Sequence, residues 1–351
     1  MKTTYTKSIA FLTFLSLVMC ICTAKANHLN TNAIHVDKNL IYEFEETTFQ
    51  TWSGFDDFTP TSSDYIQLAA DNQVVLNQNL DVAGFLLSSG SELVLNGYTL
   101  TIAVGDIETQ GGEIDATLTN SKILFTGANQ QNLNASSLKD NILWELGLNK
   151  SNQLNVSNTL VINSLLKIEA GNLDLTNANV TFACKFNTGS ILTAQIDSVP
   201  AASTITGEVS VEQCFGSRRA FRFVGSPVNT TTSIHANWQE GATAYNHNPN
   251  PGYGVHITGV GNHGDGYNGF DWQPSGNPSL FLWNQSFQSW GPINNTNQNT
   301  LNPGKAYRLM VRGDRTTDVT TSLAASSPTK LSTTGNLQVG TLDLSYKFSE
   351  T

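Results

Sequence analysis

The sequence has few charged residues, and no arginine precedes Arg218. Asp, Glu, Lys and Arg together make up 13% of the chain, about half of the ~25% found in ordinary soluble proteins. Asn, Ser, Thr and Gly take their place, a composition that suits an extracellular β-protein with many turns. The net charge is −10, and an acidic chain repels phosphate backbones and anionic membranes. We therefore expect no nucleic-acid partner and no membrane-surface partner.

Long apolar runs are also scarce, and none reaches the ~20 residues that span a bilayer. The longest, residues 9–22, follows two lysines and ends before the small-x-small motif Ala24-Lys25-Ala26. This pattern predicts a signal peptide at residues 1–26 and a mature chain that is secreted or held on the outer cell surface, without a transmembrane span. An uncleaved anchor and a lipoprotein signal at Cys20 are the alternatives.

Short apolar triplets recur about every 20 residues in the first half of the chain. One series comprises Val74-x-Leu76, Leu93-x-Leu95, Ile114-x-Ala116, Leu133-x-Ala135, Leu154-x-Val156, Leu173-x-Leu175 and Leu192-x-Ala194. A second comprises Leu80-x-Val82, Leu100-x-Ile102, Ile123-x-Phe125, Ile142-x-Trp144, Leu160-x-Ile162 and Val180-x-Phe182. Each triplet alternates like a β-strand, and two series rising in step predict stacked coils. We predict a right-handed parallel β-helix over residues 74–204, with a β-sandwich as the alternative.

The residues between the triplets agree with tight coil corners. Asparagines follow the strands and could stack as a ladder: Asn77, Asn96, Asn120, Asn158 and Asn177. Glycines precede them and supply the other corner: Gly90, Gly111, Gly112, Gly171 and Gly189. Residues 27–73 are predicted to cap the first coil with aromatic side chains, since open strand edges recruit other chains: Tyr42, Phe44, Phe49, Trp52 and Phe55. Sugar stacking by Trp52 is the alternative.

The composition changes near residue 205, which predicts a second domain over residues 205–351. Its strand-like segments are 219–224, 280–283 and 306–312, and long loops rich in Gly, Asn and Pro separate them. Phe221 and Phe223 share one face of the first segment. Helical periodicity is almost absent, so we predict a smaller antiparallel, β-sandwich-like domain. The fold class is therefore all-β.

This second part resembles a module found in secreted and cell-surface proteins of flavobacteria and their relatives. The segments that carry the resemblance are Gly207–Glu212, Arg218–Val228, Asn237–Gly241, His256–Gly259, Asn268–Asp271 and Gly304–Arg315. Proteins with this module often carry a C-terminal sorting domain for type IX secretion, and the module has no assigned catalytic residues. The resemblance implies a surface-attached protein. The sequence ends at Thr351 before any such sorting domain, so we expect a fragment or a truncated product.

Three polar groups are candidates for chemistry. Carboxylates on one coil could act in pairs on a polysaccharide: Asp106, Glu108, Glu113 and Asp115. Histidines of the second domain could bind zinc, although their spacing lacks the usual close pair: His235, His247, His256 and His263. A glycine-rich loop offers oxygen ligands for structural calcium: Asn262, Asp265, Asn268 and Asp271. For each group we prefer the interpretation as ordinary polar surface, so the metal assignment stays unknown and no cofactor is expected.

Two further motifs could bind partners. Arg312-Gly313-Asp314 spells an integrin-binding tripeptide, but a turn at a strand end is the preferred interpretation. Aromatic residues could form a platform for sugars, with core packing preferred: Trp272, Trp283, Phe287 and Trp290.

Cys184 and Cys214 are the only cysteines beyond the predicted signal peptide. Export would permit a disulfide. On a coil of 20 residues, however, Cys214 lies about one and a half coils past Cys184, on the opposite side of the helix. Since bonded cysteines need Cα atoms within ~7 Å, a bond requires the chain to fold back, and we leave the pairing open.

Without a catalytic residue or cofactor to assign, we expect an exported structural or adhesive surface protein. A β-helix polysaccharide lyase or hydrolase and a carbohydrate-binding module are the alternatives, and an extracellular glycan or surface component is the expected partner.

Overall fold

The computed structural model describes residues 49–342, which are nearly all β-structure with 4% helix. The predicted signal peptide, the first part of the predicted cap and the last nine residues lie outside this range. The first strands are β1 (Gln50–Trp52), β2 (Tyr65–Leu68), β3 (Gln73–Val75), β4 (Leu80–Val82), β5 (Gly84–Leu87), β6 (Glu92–Val94), β7 (Thr99–Ile102), β8 (Ile107–Thr109), β9 (Glu113–Ala116), β10 (Lys122–Gly127), β11 (Gln131–Asn134) and β12 (Leu138–Phe182).

The remaining strands are β13 (Cys184–Asn187), β14 (Ser190–Thr193), β15 (Gln195–Ile196), β16 (Ile205–Thr206), β17 (Glu208–Phe215), β18 (Ala220–Val224), β19 (Val228–Asn229), β20 (Leu280–Asn284), β21 (Ser289–Pro292), β22 (Tyr307–Val311) and β23 (Thr329–Leu337). A short helix α1 (Ile234–Trp238) begins at Ser233, whose hydroxyl accepts the Ala236 N–H. In this part of the chain, no helix is long and apolar enough to cross a membrane.

The first half is a parallel β-solenoid, which confirms the predicted class. From β2 to β8, each strand pairs in parallel with the strand three places later, so one coil contains three strands. The sequence patterns revealed only two of them. The missed strand carries Ile66, Phe85 and Ile107, which stack in register. The parallel stack begins at β1, where Trp52 pairs with Leu68, and not at residue 74.

The predicted triplet series slips by one strand in the middle of the solenoid. Leu133 was expected above Ile114 but stacks on Ile107, while Ile114 pairs with Leu138. The register shifts again between Leu138 and Leu143, where an irregularity adds residues to the coil. A prediction based on a constant 20-residue period cannot account for such insertions. It therefore assigns the later triplets to the wrong strand of the coil.

The interior of the solenoid is nevertheless a largely apolar column, interrupted by buried Gln131, which pairs with Leu154. Leu80, Leu100, Ile123 and Leu146 stack in register, and each is at most 1% exposed. The residues expected to share the column do so: Leu93, Ile114, Leu154 and Leu173. Since full burial of a Leu or Ile side chain is worth about 1.5–3 kcal/mol, this column is the main source of stability in the first half.

The corner residues follow the prediction in part. Asn96, Asn120 and Asn158 have positive φ angles of 52°, 68° and 67°, conformations that Asn tolerates better than most residues. Gly189 does not turn a coil but lies in a hairpin. Asparagine side chains one coil apart do form hydrogen bonds: Asn155 donates to Asn132, and Asn158 donates to Asn134. Of these four residues, only Asn158 belongs to the predicted ladder.

Strand β17 joins the solenoid to the second part of the chain. One edge pairs in parallel with β12, and the other pairs antiparallel with β23, which also binds β19. The boundary predicted near residue 205 falls just before this shared strand. Val209 of β17 lies in the solenoid core, whereas Phe215 packs against a second core.

The second core lies between β23 and a separate antiparallel sheet with the order β18–β22–β20–β21. Leu331 of β23 and Leu309 of β22 both contribute to it. Trp238 of α1 fills the space between them. Its ring lies 5.4 Å from that of Tyr307, and its Nε1 donates to Thr333 Oγ1 at 3.0 Å. This arrangement agrees with the predicted sandwich-like antiparallel part.

Cys184 and Cys214 form a disulfide with Cα atoms 5.8 Å apart. The estimate of one and a half coils was wrong because β13 and β14 form a hairpin that inserts into this coil. Leu192, predicted as a stacked strand residue, lies in that hairpin. Beyond the insertion, Val211 stacks directly on Phe182. The two cysteines follow these residues closely, so they lie on the same side, one coil apart.

Loss of this disulfide should destabilise the chain. We expect a double Cys184→Ser, Cys214→Ser variant to lose about 2–4 kcal/mol of unfolding free energy, because the crosslink restricts the unfolded chain. Chemical denaturation with and without reductant measures the difference. The variant should be insensitive to reductant, and equal stability of the reduced and oxidised wild type would contradict the expectation.

Candidate binding face

Several carboxylates on the solenoid take part in polar contacts, and Lys139 bridges two of them. Lys139 Nζ lies 2.5 Å from Glu92 Oε1 and 3.3 Å from Asp115 Oδ2. The Lys139 hydrogen bond lowers the pKa of Glu92. A general acid for glycoside cleavage needs a raised pKa, whereas the pKa of Glu92 is lowered.

The other predicted carboxylates lie on neighbouring strands or accept hydrogen bonds from the chain. Asp106 accepts hydrogen bonds from the backbone and side chain of Asn132 at 2.7 and 3.0 Å. Glu113 stacks on Glu92 in register, and Glu108 lies on the preceding strand. Trp52 is fully buried in the first coil, packs against Phe85 and is unavailable for sugar stacking.

The four histidines are dispersed among separate contacts. The rings of His235 and His256 bond to the carbonyls of Ala242 and Tyr245 at 2.9 and 2.7 Å. His247 Nδ1 accepts the Thr243 N–H, and His263 stacks on Tyr267. Within residues 49–342, no group of three or more His, Cys, Asp or Glu side chains is arranged to hold a metal ion.

The oxygens of the predicted calcium loop accept hydrogen bonds from the protein. Asp265 accepts from the backbone N–H groups of Tyr245 and Trp272. Asp271 pairs with Arg315 at 2.6 Å, with side chains that are 3% and 0% exposed. Gln239 Nε2 and the Ile257 N–H also donate to Asp271.

Arg315 connects several loops to this buried aspartate. Its guanidinium donates to the carbonyls of Ala244, His247 and Val255 as well as to Asp271. Sequence reasoning missed its role, because the pair is separated by 44 positions and no local pattern links them. The pair holds the loops that cover one face of the second core.

The integrin-like tripeptide is buried. Arg312 and Asp314 are 6% and 5% exposed, and Asp314 accepts from Ser327 Oγ and the Gly252 N–H. Burial lowers the pKa of Arg312 to about 10. Arg312 and Gly313 follow β22, and the turn begins only at Asp314, whose carbonyl accepts the Thr317 N–H.

Except for Tyr307, which packs in the second core, the aromatic residues of the four strands lie on the outer side of the sheet. Phe221 and Phe223 of β18 are 44% and 78% exposed. Trp290 stacks on Phe223 with ring centroids 5.5 Å apart and lies 5.3 Å from Trp283. Phe281 lies 6.0 Å from Phe221. We call this surface the aromatic face, defined by Phe221, Phe223, Phe281, Trp283, Trp290 and Arg308.

The preferred prediction of core packing was wrong for these tryptophans. Trp283 and Trp290 are half-buried but lie outside the second core, and Phe287 in the β20–β21 turn is 79% exposed. Trp272 lies apart, against Tyr245. Because side chains alternate along a strand, Phe281 and Trp283 lie on the face of β20 that does not carry Leu280. This alternation can be read from the sequence.

A groove of about 470 Å³ adjoins the aromatic face beside Trp283. Such a volume falls within the ~300–1,000 Å³ usual for ligand sites. Side-chain amides surround it: Asn284, Gln285, Asn294 and Asn299. The Trp283 ring together with these amides suits a ligand with apolar faces and many hydroxyl groups.

Comparison with models of known protein families, with characterised proteins and with solved structures finds no match to this chain.

Removal of the buried aspartate tests the importance of the ion pair. Asp271→Asn leaves the Arg315 charge buried without a partner, so we expect a loss of about 3–5 kcal/mol in unfolding free energy. The matched control is Lys122→Gln, which breaks the more exposed Lys122–Glu145 pair and should cost about 1 kcal/mol or less. Urea denaturation measures both, and equal losses would contradict the prediction.

The stability should also depend on pH through His256. Burial lowers the pKa of His256 below its ordinary value of 6.5, despite the nearby charge of Asp271. As the pH falls, His256 is therefore protonated at a higher pH in the unfolded chain than in the folded protein. The contribution of neutral His256 to the unfolding free energy is complete above pH ~6.5 and decreases as the pH falls below that value.

Urea denaturation between pH 8 and 5 checks this dependence. His256→Gln should lose less stability than the wild type over that interval, whereas the exposed control His263→Gln should keep the wild-type dependence. An unchanged pH dependence in His256→Gln would show that another group is responsible.

Proposed function

We propose that this chain is a non-catalytic, exported adhesive module that binds an extracellular glycan through the aromatic face. The solenoid acts as a rigid rod, and the antiparallel part displays the binding surface. The observation that carries the proposal is the position of the aromatic rings on the solvent side of the sheet while the opposite side packs in the second core.

Aromatic side chains suit this role because they offer broad apolar area with little flexibility. The C–H faces of sugar rings stack on such surfaces, and the hydroxyl groups can bond to the amides beside Trp283. The rings are already in contact with one another, so binding needs little ordering of side chains.

The proposal of export rests on the N-terminal signal pattern and on the resemblance of residues 205–320 to modules of secreted proteins. The disulfide supports it, because such bonds persist mainly in oxidising compartments. The lowered pKa of Glu92 and the bonded state of Asp106 favour a binding role over the alternative of polysaccharide cleavage.

Binding should weaken when the rings are removed. We expect Phe223→Ala and Trp290→Ala each to reduce affinity for a retained polysaccharide roughly tenfold, about 1.4 kcal/mol. Affinity electrophoresis through gels that contain neutral or acidic polysaccharides measures the change, with reducing-end assays to detect any cleavage.

The matched control is Phe186→Ala, which removes an exposed ring from the β13–β14 hairpin. It should migrate like the wild type in every gel. If no polysaccharide retains the wild type, or if all three variants bind like it, the aromatic face is not a glycan site.

A further inference from the structure

The arginines of this acidic chain are concentrated around the four-stranded sheet. All of them lie between residues 218 and 315: Arg218, Arg219, Arg222, Arg308, Arg312 and Arg315. The four strands themselves, β18, β20, β21 and β22, contain no Asp or Glu. The sheet is therefore locally basic, although the chain has a net charge of −10.

Arg308 lies at the centre of the aromatic face. Its guanidinium carbon is 4.4 Å from the ring centroid of Phe281, 4.9 Å from that of Phe221 and 5.6 Å from that of Trp290. Cation–π contacts of this kind hold the charge in place without neutralising it. No ion pair found between residues 49 and 342 includes Arg308.

A held guanidinium is well suited to a carboxylate ligand. Its planar N–H groups can donate two parallel hydrogen bonds to one carboxylate, which are stronger than neutral hydrogen bonds. Exposed Arg218 and Arg219 precede β18 and extend the positive potential beside Phe221. Elsewhere the excess of carboxylates repels anions, so the charge also directs an acidic polymer to this face.

We infer that the aromatic face binds an acidic polysaccharide, with Arg308 contacting the carboxylate of a uronic acid residue between the aromatic rings. This inference rests on the proposed function and adds the class of glycan. A neutral glycan could use the same rings but would leave the central charge without a partner.

Polymers that differ only in charge provide the test. Polygalacturonate and alginate are compared with their esterified, uncharged forms by affinity electrophoresis. The wild type should be retained at least roughly tenfold more strongly by a charged polymer than by its ester, and added salt should reduce this preference.

Arg308→Gln should abolish the preference for a charged polymer over its ester. Arg308→Lys keeps the positive charge but lacks the planar guanidinium with its paired N–H donors. It should retain part of the preference for the charged polymer. The matched control Lys305→Gln removes an exposed positive charge just before β22 and should behave like the wild type. Thermal melting verifies that each variant is folded.

The outcomes separate this inference from the proposed function. Equal retention by charged and esterified polymers overturns the role of Arg308 but leaves glycan binding in place. A preference that persists in Arg308→Gln also overturns it. Retention by no polymer, charged or uncharged, overturns both proposals.

Discussion

The stacking of strands in register is the interaction on which the rest of the structure depends. Each coil buries its apolar side chains only when the next coil lies directly above it, so the solenoid is stable as an array. The same stacking leaves backbone groups unpaired at the last strand. Strand β23 pairs with that strand, β17, from Glu208–Asn336 to Phe215–Thr329. Strand β17 is therefore both an edge strand of the last coil and the point where the second part attaches.

The second part is held by buried polar contacts as well as by its core. Its long loops contain little regular structure, so their backbone carbonyls need other partners. Arg315 satisfies carbonyls from separate loops and is itself neutralised by Asp271. These loops and α1 cover one side of the four-stranded sheet. The other side carries the exposed rings of Phe221 and Phe223.

This division explains how a chain with few charges could present a selective surface. The solenoid uses its lysines and carboxylates in local pairs such as Lys122–Glu145. The sheet instead carries a guanidinium among aromatic rings and no carboxylate in its strands. In the proposed function, stacking on the rings supplies the affinity for a glycan and the charge of Arg308 supplies the selectivity.

The sequence alone determined the all-β class, the stacked coils and the shared apolar core of Leu93, Ile114, Leu154 and Leu173, because strand alternation and a regular period are local properties. It also placed Phe221 and Phe223 on one face. Only the tertiary structure decided the third strand of each coil, since a strand such as Ile107–Thr109 has no apolar-x-apolar triplet, and only it showed where insertions shift the register. It likewise decided the Cys184–Cys214 bond, which depends on a hairpin inserted into one coil. Finally, it decided that the aromatic face points to solvent, because alternation separates two faces but packing by distant loops determines which one is covered.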